Sequence, residues 1–368
     1  MSRRLGVAAA LVDGELVPGD VRLDGDVVAA VGLPPAAGAA LAVPGLVDLQ
    51  VNGYAGVDFL SSEEDGWRDA GRALARDGVT SYVANLITAP PQATARALAT
   101  AAAVAAGTRP GHARCLGAHL EGPFLAERRR GTHPLQFLLP PSRAALEPLL
   151  GTGPVVGVTI APELPQAVGV ISWLSSAGYL VALGHSDATV EEAHAGFDAG
   201  ARAVTHVFNG MSGLTSRGPG LAGVALVRDG VAVQAIFDGC HLSTETEAVV
   251  VAAAGSRLVL VTDAVAAASA PDGSYQLGDM QVTRSHGRAS NADGGLAGSV
   301  ASLSSCIRRA VDAGMTLEGA VAAASSRPAE LLRRDDLGRL RPGDPADVVV
   351  LDDALDVTTT YVGGQVAP

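Results

Sequence analysis

Eight short apolar runs recur along the middle of the chain, and they restrict the possible folds more than any other feature. They lie near residues 46–50, 79–84, 113–120, 155–160, 179–184, 203–206, 231–237 and 257–262. Most are separated by segments typical of helices, such as 63–76, 91–106 and 189–199. Continuous apolar strands that alternate with helices indicate a parallel sheet covered on both faces. Eight such units predict an α/β fold, a closed (β/α)8 TIM-type barrel.

An open, doubly wound sheet is the alternative fold for the same alternation. No Gly-x-Gly-x-x-Gly turn follows an early strand, which weakens a dinucleotide-binding sheet of that type. The 368 residues exceed what a barrel of ~250 residues requires, so we expect an accessory unit as well.

Both ends of the chain differ from the middle and consist of short β-prone runs separated by turns. The runs near the start and the end are Leu5–Val12, Glu15–Leu23, Val27–Val31, Ala346–Leu351 and Tyr361–Val366. This pattern is typical of hairpins. We therefore predict a small β-sandwich domain formed by residues 1–45 and 341–368, and a barrel domain spanning residues 46–340.

The charged residues exclude several functions. The net charge is −12 and no basic tract is interleaved with aromatic residues, so we expect no nucleic-acid partner. The apolar run after Arg4 is broken at Asp13, too short for a signal peptide or membrane span, which favours a cytoplasmic protein without a membrane partner. All 26 basic residues are Arg, which excludes Schiff-base chemistry, a P-loop lysine and a carbamylated lysine between two metals.

Polar residues collect where the predicted strands end, which is where barrel enzymes place their working residues. They include Asp48, Gln50, Asn52, His119, Glu121, His185, Ser186, Asp187, His206, Asn209, Asp238, His241 and Asp263. His185 and His206 end successive strands, so their imidazoles can converge, and Glu121 adds a carboxylate from a third strand. Two His and one carboxylate form a common catalytic zinc set that leaves a position for water.

Asp263, at the end of the last predicted strand, can complete the chemistry of such a site. A metal-bound water has a pKa near ~7 and supplies hydroxide at neutral pH. Asp263 can take the proton of that water and return it to the leaving group. An Asp at the end of a strand is also a common cap for the next helix. This interpretation fits Asp187, which lies just before Thr189, and it stays open for Asp263.

Short motifs that contain these residues follow one another over nearly the whole chain. They are Pro44–Gly53, Gly117–Phe124, Gly131–His133, Gly184–Ser186, Thr205–Met211, Pro219–Gly223, Asp238–His241, Val261–Ala264, Leu296–Ser299 and Gly343–Asp347. In this order they resemble the motifs of the N-acetylglucosamine-6-phosphate deacetylases of the amidohydrolase superfamily. The resemblance implies a metal-dependent enzyme that hydrolyses N-acetyl-D-glucosamine 6-phosphate to D-glucosamine 6-phosphate and acetate.

The resemblance also implies roles for the residues that would carry out the reaction. Glu121, His185 and His206 would bind the metal. Metal-bound hydroxide would attack the acetamide carbonyl, with Asp263 as the general base and then the acid. His133 would polarise that carbonyl and stabilise the oxyanion of the tetrahedral intermediate.

A second group of matching positions would bind the amino-sugar phosphate. His241 would contact the sugar, while Asn209 and the backbone of Gly210, a position where Ala is common, would help to hold the phosphate. Arg217 would also bind phosphate, for which an Arg fork is well suited. Because the family is usually dimeric, we expect a homodimer in which Arg217 reaches into the neighbouring subunit's site. Gly218 departs from the family pattern, which has an acidic residue there.

The first strand carries Gln50 and Asn52 where most amidohydrolases have His-x-His. Amides are poor zinc ligands compared with imidazole, so these are at most vestigial second-metal positions that hydrogen-bond within the site. We therefore expect one divalent metal ion per subunit. Zinc is favoured, although iron or another divalent ion would also suit the ligand set.

Other functions stay open at this stage. One is a deacetylase for another N-acetyl amino-sugar phosphate, such as the galactosamine isomer. Another is a barrel hydrolase that acts on non-phosphorylated amides, for which Arg217 would be dispensable. A third is a silent relative that binds sugar phosphate without releasing acetate.

Overall fold

The computed structural model describes residues 2–368, and its first strands lie outside the barrel. They are β1 (Ser2–Arg4), β2 (Ala9–Val12), β3 (Glu15–Pro18), β4 (Asp20–Asp24), β5 (Val27–Leu33) and β6 (Leu41–Pro44). Strands β1, β4 and β5 pair as one antiparallel sheet. Strands β2, β3 and β6 enter a second sheet that is completed by the other end of the chain.

The apolar runs of the middle region form the strands of a barrel. In chain order the strands are β7 (Leu46–Val51), the short hairpin β8 (Gly53–Tyr54) and β9 (Val57–Asp58), then β10 (Val79–Ile87), β11 (Arg114–Glu121), β12 (Val155–Ile160), β13 (Leu180–Leu183), β14 (Ala203–Val204), β15 (Ala232–Ala235) and β16 (Leu258–Leu260). Within residues 2–368, β7 and β10 to β16 form one eight-stranded sheet in which neighbours pair in parallel.

The two edges of this sheet meet just beyond the ends of β7 and β16. The backbone N–H of Asn52 donates to the carbonyl of Ala264 at 2.7 Å, and Val51 forms a parallel bridge with Ala264. Lower down, the Thr262 hydroxyl donates to the buried Asp48 carboxylate at 2.6 Å. Burial raises the pKa of Asp48 to about 7. The predicted (β/α)8 barrel is confirmed, and the open sheet is wrong.

Helices cover the outside of the barrel strands. They are α1 (Glu64–Arg76), α2 (Pro91–Ala106), α3 (Arg143–Leu150), α4 (Ala167–Ser176), α5 (Val190–Asp198), α6 (Gly220–Val227), α7 (Thr244–Ala254), α8 (Leu303–Asp312), α9 (Leu317–Ala323) and α10 (Ser326–Leu331). None of the helices in residues 2–368 has the length and apolar character needed to cross a lipid bilayer.

Helix α5 shows how local chemistry sets a boundary next to the barrel mouth. Its N-cap is Thr189, whose hydroxyl accepts from the N–H of Glu192 while the Glu192 carboxylate accepts from the N–H of Thr189. The cap predicted at Asp187 is therefore wrong. The Asp187 carboxylate instead accepts a hydrogen bond from the Arg129 guanidinium at 2.5 Å.

A small antiparallel sheet is inserted between the last barrel strand and α8. It consists of β17 (Gly273–Leu277), β18 (Met280–Ser285) and β19 (Arg288–Ser290). Its apolar face packs on Ile87 and Val265 at the barrel mouth, where Leu277 and Val282 are buried. This insertion places Leu277 in the wall of the cavity described below.

The chain end returns to the N-terminal strands. Strands β20 (Val348–Leu351), β21 (Val357–Val362) and β22 (Gln365–Val366) complete a six-stranded sheet in the order β3-β2-β6-β20-β21-β22. Buried apolar residues from this sheet and the β1-β4-β5 sheet form one cluster, which includes Val21, Leu23, Ala42, Val348 and Val350. The predicted β-rich unit formed by both termini is confirmed. Its limits at residues 45 and 341 stay a prediction.

Candidate active site

A cavity of about 170 Å³ opens at the carboxyl ends of the barrel strands. It is lined by Asn52, Ile87, Glu121, Gly131, Thr132, His133, His185, His206, Asn209, Gly210, His241, Asp263, Leu277, Leu296 and Gly298. The fold thus gathers residues from across the whole barrel into one place, because parallel strands end at the same rim. Of the residues singled out in the sequence, those absent from this lining are Asp48, Gln50, His119, Ser186, Asp187, Arg217 and Asp238.

Three of the predicted residues meet at one buried point. The Glu121 Oε1 atom lies 2.8 Å from His185 Nε2 and 2.9 Å from His206 Nε2, and the two Nε2 atoms are 3.2 Å apart. All three side chains are buried. In residues 2–368, this is the group of three His, Cys, Asp or Glu side chains close enough to share one metal ion.

The hydrogen bonding of this cluster fits a cation. His185 Nδ1 lies 2.7 Å from the backbone carbonyl of Arg129, which can only accept, so Nδ1 carries the proton. The Nε2 atom then presents its lone pair to the Glu121 carboxylate oxygen, and two such lone pairs repel each other unless a positive charge lies between them. A carbonyl bonded to the outer ring nitrogen is the usual arrangement for a metal-binding His.

Asp263 faces the cluster from the far end of the sheet. Its Oδ1 atom accepts a hydrogen bond from Asn52 Nδ2 at 2.7 Å. Desolvation, reinforced by the nearby Glu121 charge, raises the pKa of Asp263 to about 6. Within residues 2–368 the next helix after Asp263 is α8, so the alternative role of a helix cap is wrong.

His133 is held as a neutral donor that points towards the same cluster. The backbone N–H of Thr88 donates to His133 Nδ1 at 3.1 Å, so the ring proton must reside on Nε2. That Nε2 atom lies 4.0 Å from Glu121 Oε1. Burial, together with repulsion from His185, lowers the pKa of His133 to about 3. The ring therefore stays uncharged and presents an N–H to the cavity.

Several of these residues have a strained backbone. His185, His206 and Asp263 have φ values of 49°, 27° and 51°, in the left-handed region that non-glycine residues rarely adopt. Such strain is concentrated at functional sites. Gly210 also has a positive φ of 59°, and a Cβ atom there would lie 2.8 Å from His185 Nδ1. The Ala that is common at this position would therefore be strained here and would press on the His185 ring.

Of the residues predicted to bind the sugar phosphate, His241, Asn209 and Gly210 line the cavity, whereas Arg217 does not. His241 lines the cavity, and its Nδ1 is 2.8 Å from the Asp238 carboxylate. Asn209 also lines the cavity and donates to the carbonyl of His206 at 3.2 Å. Arg217 lies in an exposed loop and, within residues 2–368, makes no ion pair or side-chain hydrogen bond. This chain alone does not bring Arg217 into the cavity lining.

Sequence reasoning missed three polar residues next to the site. Asn85 contacts Glu121, Thr88 holds His133, and Glu163 accepts hydrogen bonds from Ser186 and from the backbone of Asp187. A usable signal was present, because all three follow or end the second and fourth apolar runs. Those two strand ends contributed no candidates to the sequence analysis.

Comparison with known proteins assigns the chain to a family. The model of the Amidohydrolase family matches residues 41–367, which is most of the chain. The chain belongs to the amidohydrolase family. The three side chains that could share a metal ion lie at the end of β11 and just beyond the ends of β13 and β14.

Relatives with similar sequences include deacetylases of amino-sugar phosphates. The chain is 37% identical to an N-acetylgalactosamine-6-phosphate deacetylase of Escherichia coli O157:H7, over 89% of this chain and 88% of the relative. It is 36% identical to the N-acetylglucosamine-6-phosphate deacetylase of Vibrio furnissii, over 88% and 82% of the two chains.

A solved structure gives the same result. It is an N-acetyl-D-glucosamine-6-phosphate deacetylase mutant of Mycobacterium smegmatis in complex with N-acetyl-D-glucosamine-6-phosphate. It matches this amidohydrolase with a TM-score of 0.93 and 35% identity, over 100% of this chain and 99% of the other. The similarity thus includes the terminal β-rich unit as well as the barrel.

Proposed function

We propose that this amidohydrolase is a metal-dependent deacetylase that hydrolyses N-acetyl-D-glucosamine 6-phosphate to D-glucosamine 6-phosphate and acetate. The observation that carries the proposal is the convergence of Glu121, His185 and His206 opposite Asp263 and the His133 N–H. The relatives named as deacetylases of amino-sugar phosphates support the choice of substrate.

Glu121, His185 and His206 would hold one divalent cation, with zinc as our first choice. When bound, the cation supplies Lewis acidity, which makes water acidic enough to lose a proton near neutral pH and polarises an amide carbonyl. Gln50 and Asn52 provide amide groups where a second cation would need imidazoles, which supports a single metal ion.

The protein's own groups then carry out the remaining steps. Asp263 accepts the proton of the attacking water and returns it to the nitrogen of the amide as the C–N bond breaks, so that amine and carboxylate leave. The His133 N–H donates a hydrogen bond to the carbonyl oxygen as negative charge develops there. A neutral donor suits this role, and the pKa of His133, about 3, means that the ring takes up no second proton near neutral pH and keeps its single N–H on Nε2.

Substrate binding belongs to the same proposal. His241 would contact sugar hydroxyls, and Asn209 with the backbone of Gly210 would lie near the phosphate. Since Arg217 lies outside the cavity of its own chain, we infer that it reaches the site of a neighbouring subunit in a homodimer. The predicted cytoplasmic location stays part of this proposal.

The decisive experiment compares three substrates. The purified protein, stripped with a chelator and reloaded with zinc, is assayed for acetate release from N-acetylglucosamine 6-phosphate, its galactosamine isomer and unphosphorylated N-acetylglucosamine. We expect metal-dependent release that is fastest with the first compound and at least ~100-fold slower without phosphate, as loss of charge-assisted phosphate contacts predicts. Faster release from the galactosamine isomer would assign the alternative substrate. Equal rates with and without phosphate, or binding without acetate release, would contradict the proposal.

Arg217→Ala tests the phosphate contact separately. We expect KM for the phosphorylated substrate to rise ~10–100-fold with little change in kcat, since a contact to a remote phosphate contributes mainly to binding. Arg128→Ala, which removes another exposed Arg near the same rim, is the matched control. If the two variants behave alike, Arg217 has no special role in phosphate binding.

A further inference from the structure

Asn85 is a buried polar residue to which the proposed mechanism assigns no task. It lies on β10, two residues before the end of the strand, and is only 2% exposed. A buried amide without a functional role is unusual so close to a charged cluster, because each polar atom removed from water needs a partner. Its contacts explain its presence.

The amide nitrogen of Asn85 makes two hydrogen bonds at once. It lies 2.5 Å from Glu121 Oε2 and 2.9 Å from Asn52 Oδ1. The nitrogen of Asn52 in turn lies 2.7 Å from Asp263 Oδ1. Together the two amides form a continuous chain of hydrogen bonds from Glu121 to Asp263.

The direction of each bond in this chain is determined by the groups at its ends. An ionised carboxylate can only accept, so the NH2 groups of Asn85 and Asn52 must face Glu121 and Asp263. The oxygen of Asn52 is then left to accept the second N–H of Asn85. Reversing either amide would place its oxygen against a carboxylate oxygen, so these hydrogen bonds have one consistent set of directions.

At the Glu121 end, the hydrogen bond from Asn85 orients the carboxylate that lies next to both proposed histidine ligands. Its Oε1 atom faces His185 and His206, and its Oε2 atom is held by Asn85, with Gln50 Nε2 farther away at 3.5 Å. The Asn85 bond is therefore the short contact that keeps Oε1, rather than both oxygens, directed at the metal position. Partners of this kind commonly contribute to metal affinity.

At the Asp263 end, the contact leaves one oxygen free. Asn52 supplies the side-chain hydrogen bond to Asp263 within residues 2–368, and it does so at Oδ1. Oδ2 is then available to accept the proton of water. Because Asn85 holds the oxygen of Asn52, it also determines the rotation of the amide that orients Asp263.

The remaining atom of Asn85 indicates that this arrangement has a cost. Its Oδ1 is buried and has no hydrogen-bond partner within residues 2–368. An unpaired buried acceptor is unfavourable, and an apolar residue of similar shape, such as Leu, would avoid this cost. Burial alone therefore does not account for an amide at this position, whereas its two donated hydrogen bonds do.

We propose that Asn85 is a positioning residue that couples the metal-binding carboxylate Glu121 to the general base Asp263 through Asn52. The proposal rests on the proposed function for its catalytic half only. Its metal-binding half concerns the affinity of the protein for a cation and is measurable without any substrate.

Asn85→Leu is the sharpest test, because Leu keeps the approximate shape of Asn and removes both donors. Zinc affinity of the metal-free variant is measured by competition with a chromogenic chelator, and kcat and KM are then measured at saturating zinc. We expect zinc affinity to fall ~10–100-fold, as for other partners of metal ligands. We also expect kcat to fall at least ~10-fold with KM within threefold, because a misplaced base affects the transition state rather than substrate binding.

Ser81→Ala is the matched control, since Ser81 is a fully buried polar residue on the same strand whose hydroxyl has no partner within residues 2–368. Its zinc affinity and kcat should equal those of the wild type. Asn85→Ala serves as a second variant if Asn85→Leu unfolds at a lower temperature than the control. Wild-type zinc affinity in a folded Asn85 variant would overturn the proposal. Absence of acetate release by the wild type would instead overturn the proposed function, while the zinc measurement would still decide the role of Asn85.

Discussion

The two halves of the barrel mouth are built from different chemistry. The ligand half, named for the metal-binding role that we propose for it, consists of Glu121, His185 and His206, whose lone pairs converge on one point. The amide half consists of Gln50, Asn52 and Asn85, whose N–H groups point at the carboxylates of Glu121 and Asp263. Glu121 belongs to both halves, because one of its oxygens faces the histidines and the other faces the amides.

The difference shows how the Glu121 carboxylate can face a metal position with one oxygen and connect to Asp263 through the amides with the other. A second set of lone pairs on the amide side would attract a second cation, as in barrels with His-x-His on the first strand. Donors on that side instead hydrogen-bond to the carboxylates of Glu121 and Asp263. The contrast between the halves can be tested in three ways: by removing the proposed base Asp263, by removing its hydrogen bond from Asn52, and by replacing the first-strand amides with histidines.

The largest effect is expected from Asp263→Asn. An amide cannot accept the proton of water, so kcat should fall ~10²–10⁴-fold, the usual contribution of general acid–base catalysis. Bound zinc, measured by elemental analysis, should stay at the wild-type level because the ligand half is intact. Asp198→Asn, the same substitution at an exposed position, is the control. Turnover retained by Asp263→Asn would remove Asp263 from the mechanism.

A smaller effect is expected in the pH dependence of kcat/KM. Asp263 must be ionised to act as a base, so activity should be present above its pKa and fall about tenfold per pH unit below it. In the metal-free protein desolvation raises that pKa to about 6, and a bound cation lowers it. Asn52 donates to the ionised form, so Asn52→Ala should move the acid limb towards higher pH by about one unit. An unmoved acid limb would show that the amide half does not influence the base.

The smallest effect, about twofold, is expected in metal content. Replacing both first-strand amides, in the variant Gln50→His with Asn52→His, places one imidazole beside Glu121 Oε2 and one beside Asp263 Oδ1. Bound zinc should rise from one to two ions per subunit, since imidazole is a far better ligand than an amide. The matched control with Leu at both positions should stay at one ion. Two ions in the wild type would contradict the single-metal prediction.

Sequence patterns were sufficient to predict the barrel strands and the three residues of the ligand half. The apolar runs coincide with β7 and β10 to β16, and the segment 91–106 coincides with α2. Glu121, His185 and His206 could be predicted because strand ends of a parallel barrel share one rim. Residues 264–340 had no predicted elements, and the β17–β19 sheet within them depends on packing against Ile87 at the mouth.

The role of Asn85 and the protonation state of His133 were harder to predict from the sequence. The proton position on His133 depends on a backbone N–H, that of Thr88, which any non-proline residue at position 88 could supply. Asn85 acquires its significance only from the register that sets it opposite His119 and next to Glu121. The sequence marks Asn85 and Thr88 as strand-end residues, but it does not predict their contacts, because each contact joins residues more than thirty positions apart.

The pairing of β6 with β20 has a consequence for how the chain is made. Val43 lies opposite Val349 in the antiparallel register, so about 300 residues must be synthesised before β6 acquires that neighbour. At ribosomal rates this delay is on the order of 15–60 s. During that interval the apolar strand β6 has an unprotected edge, to which other nascent chains can add. Production of this protein should therefore depend on elongation speed and on chaperones more strongly than production of a barrel whose β-rich unit is encoded in one continuous segment.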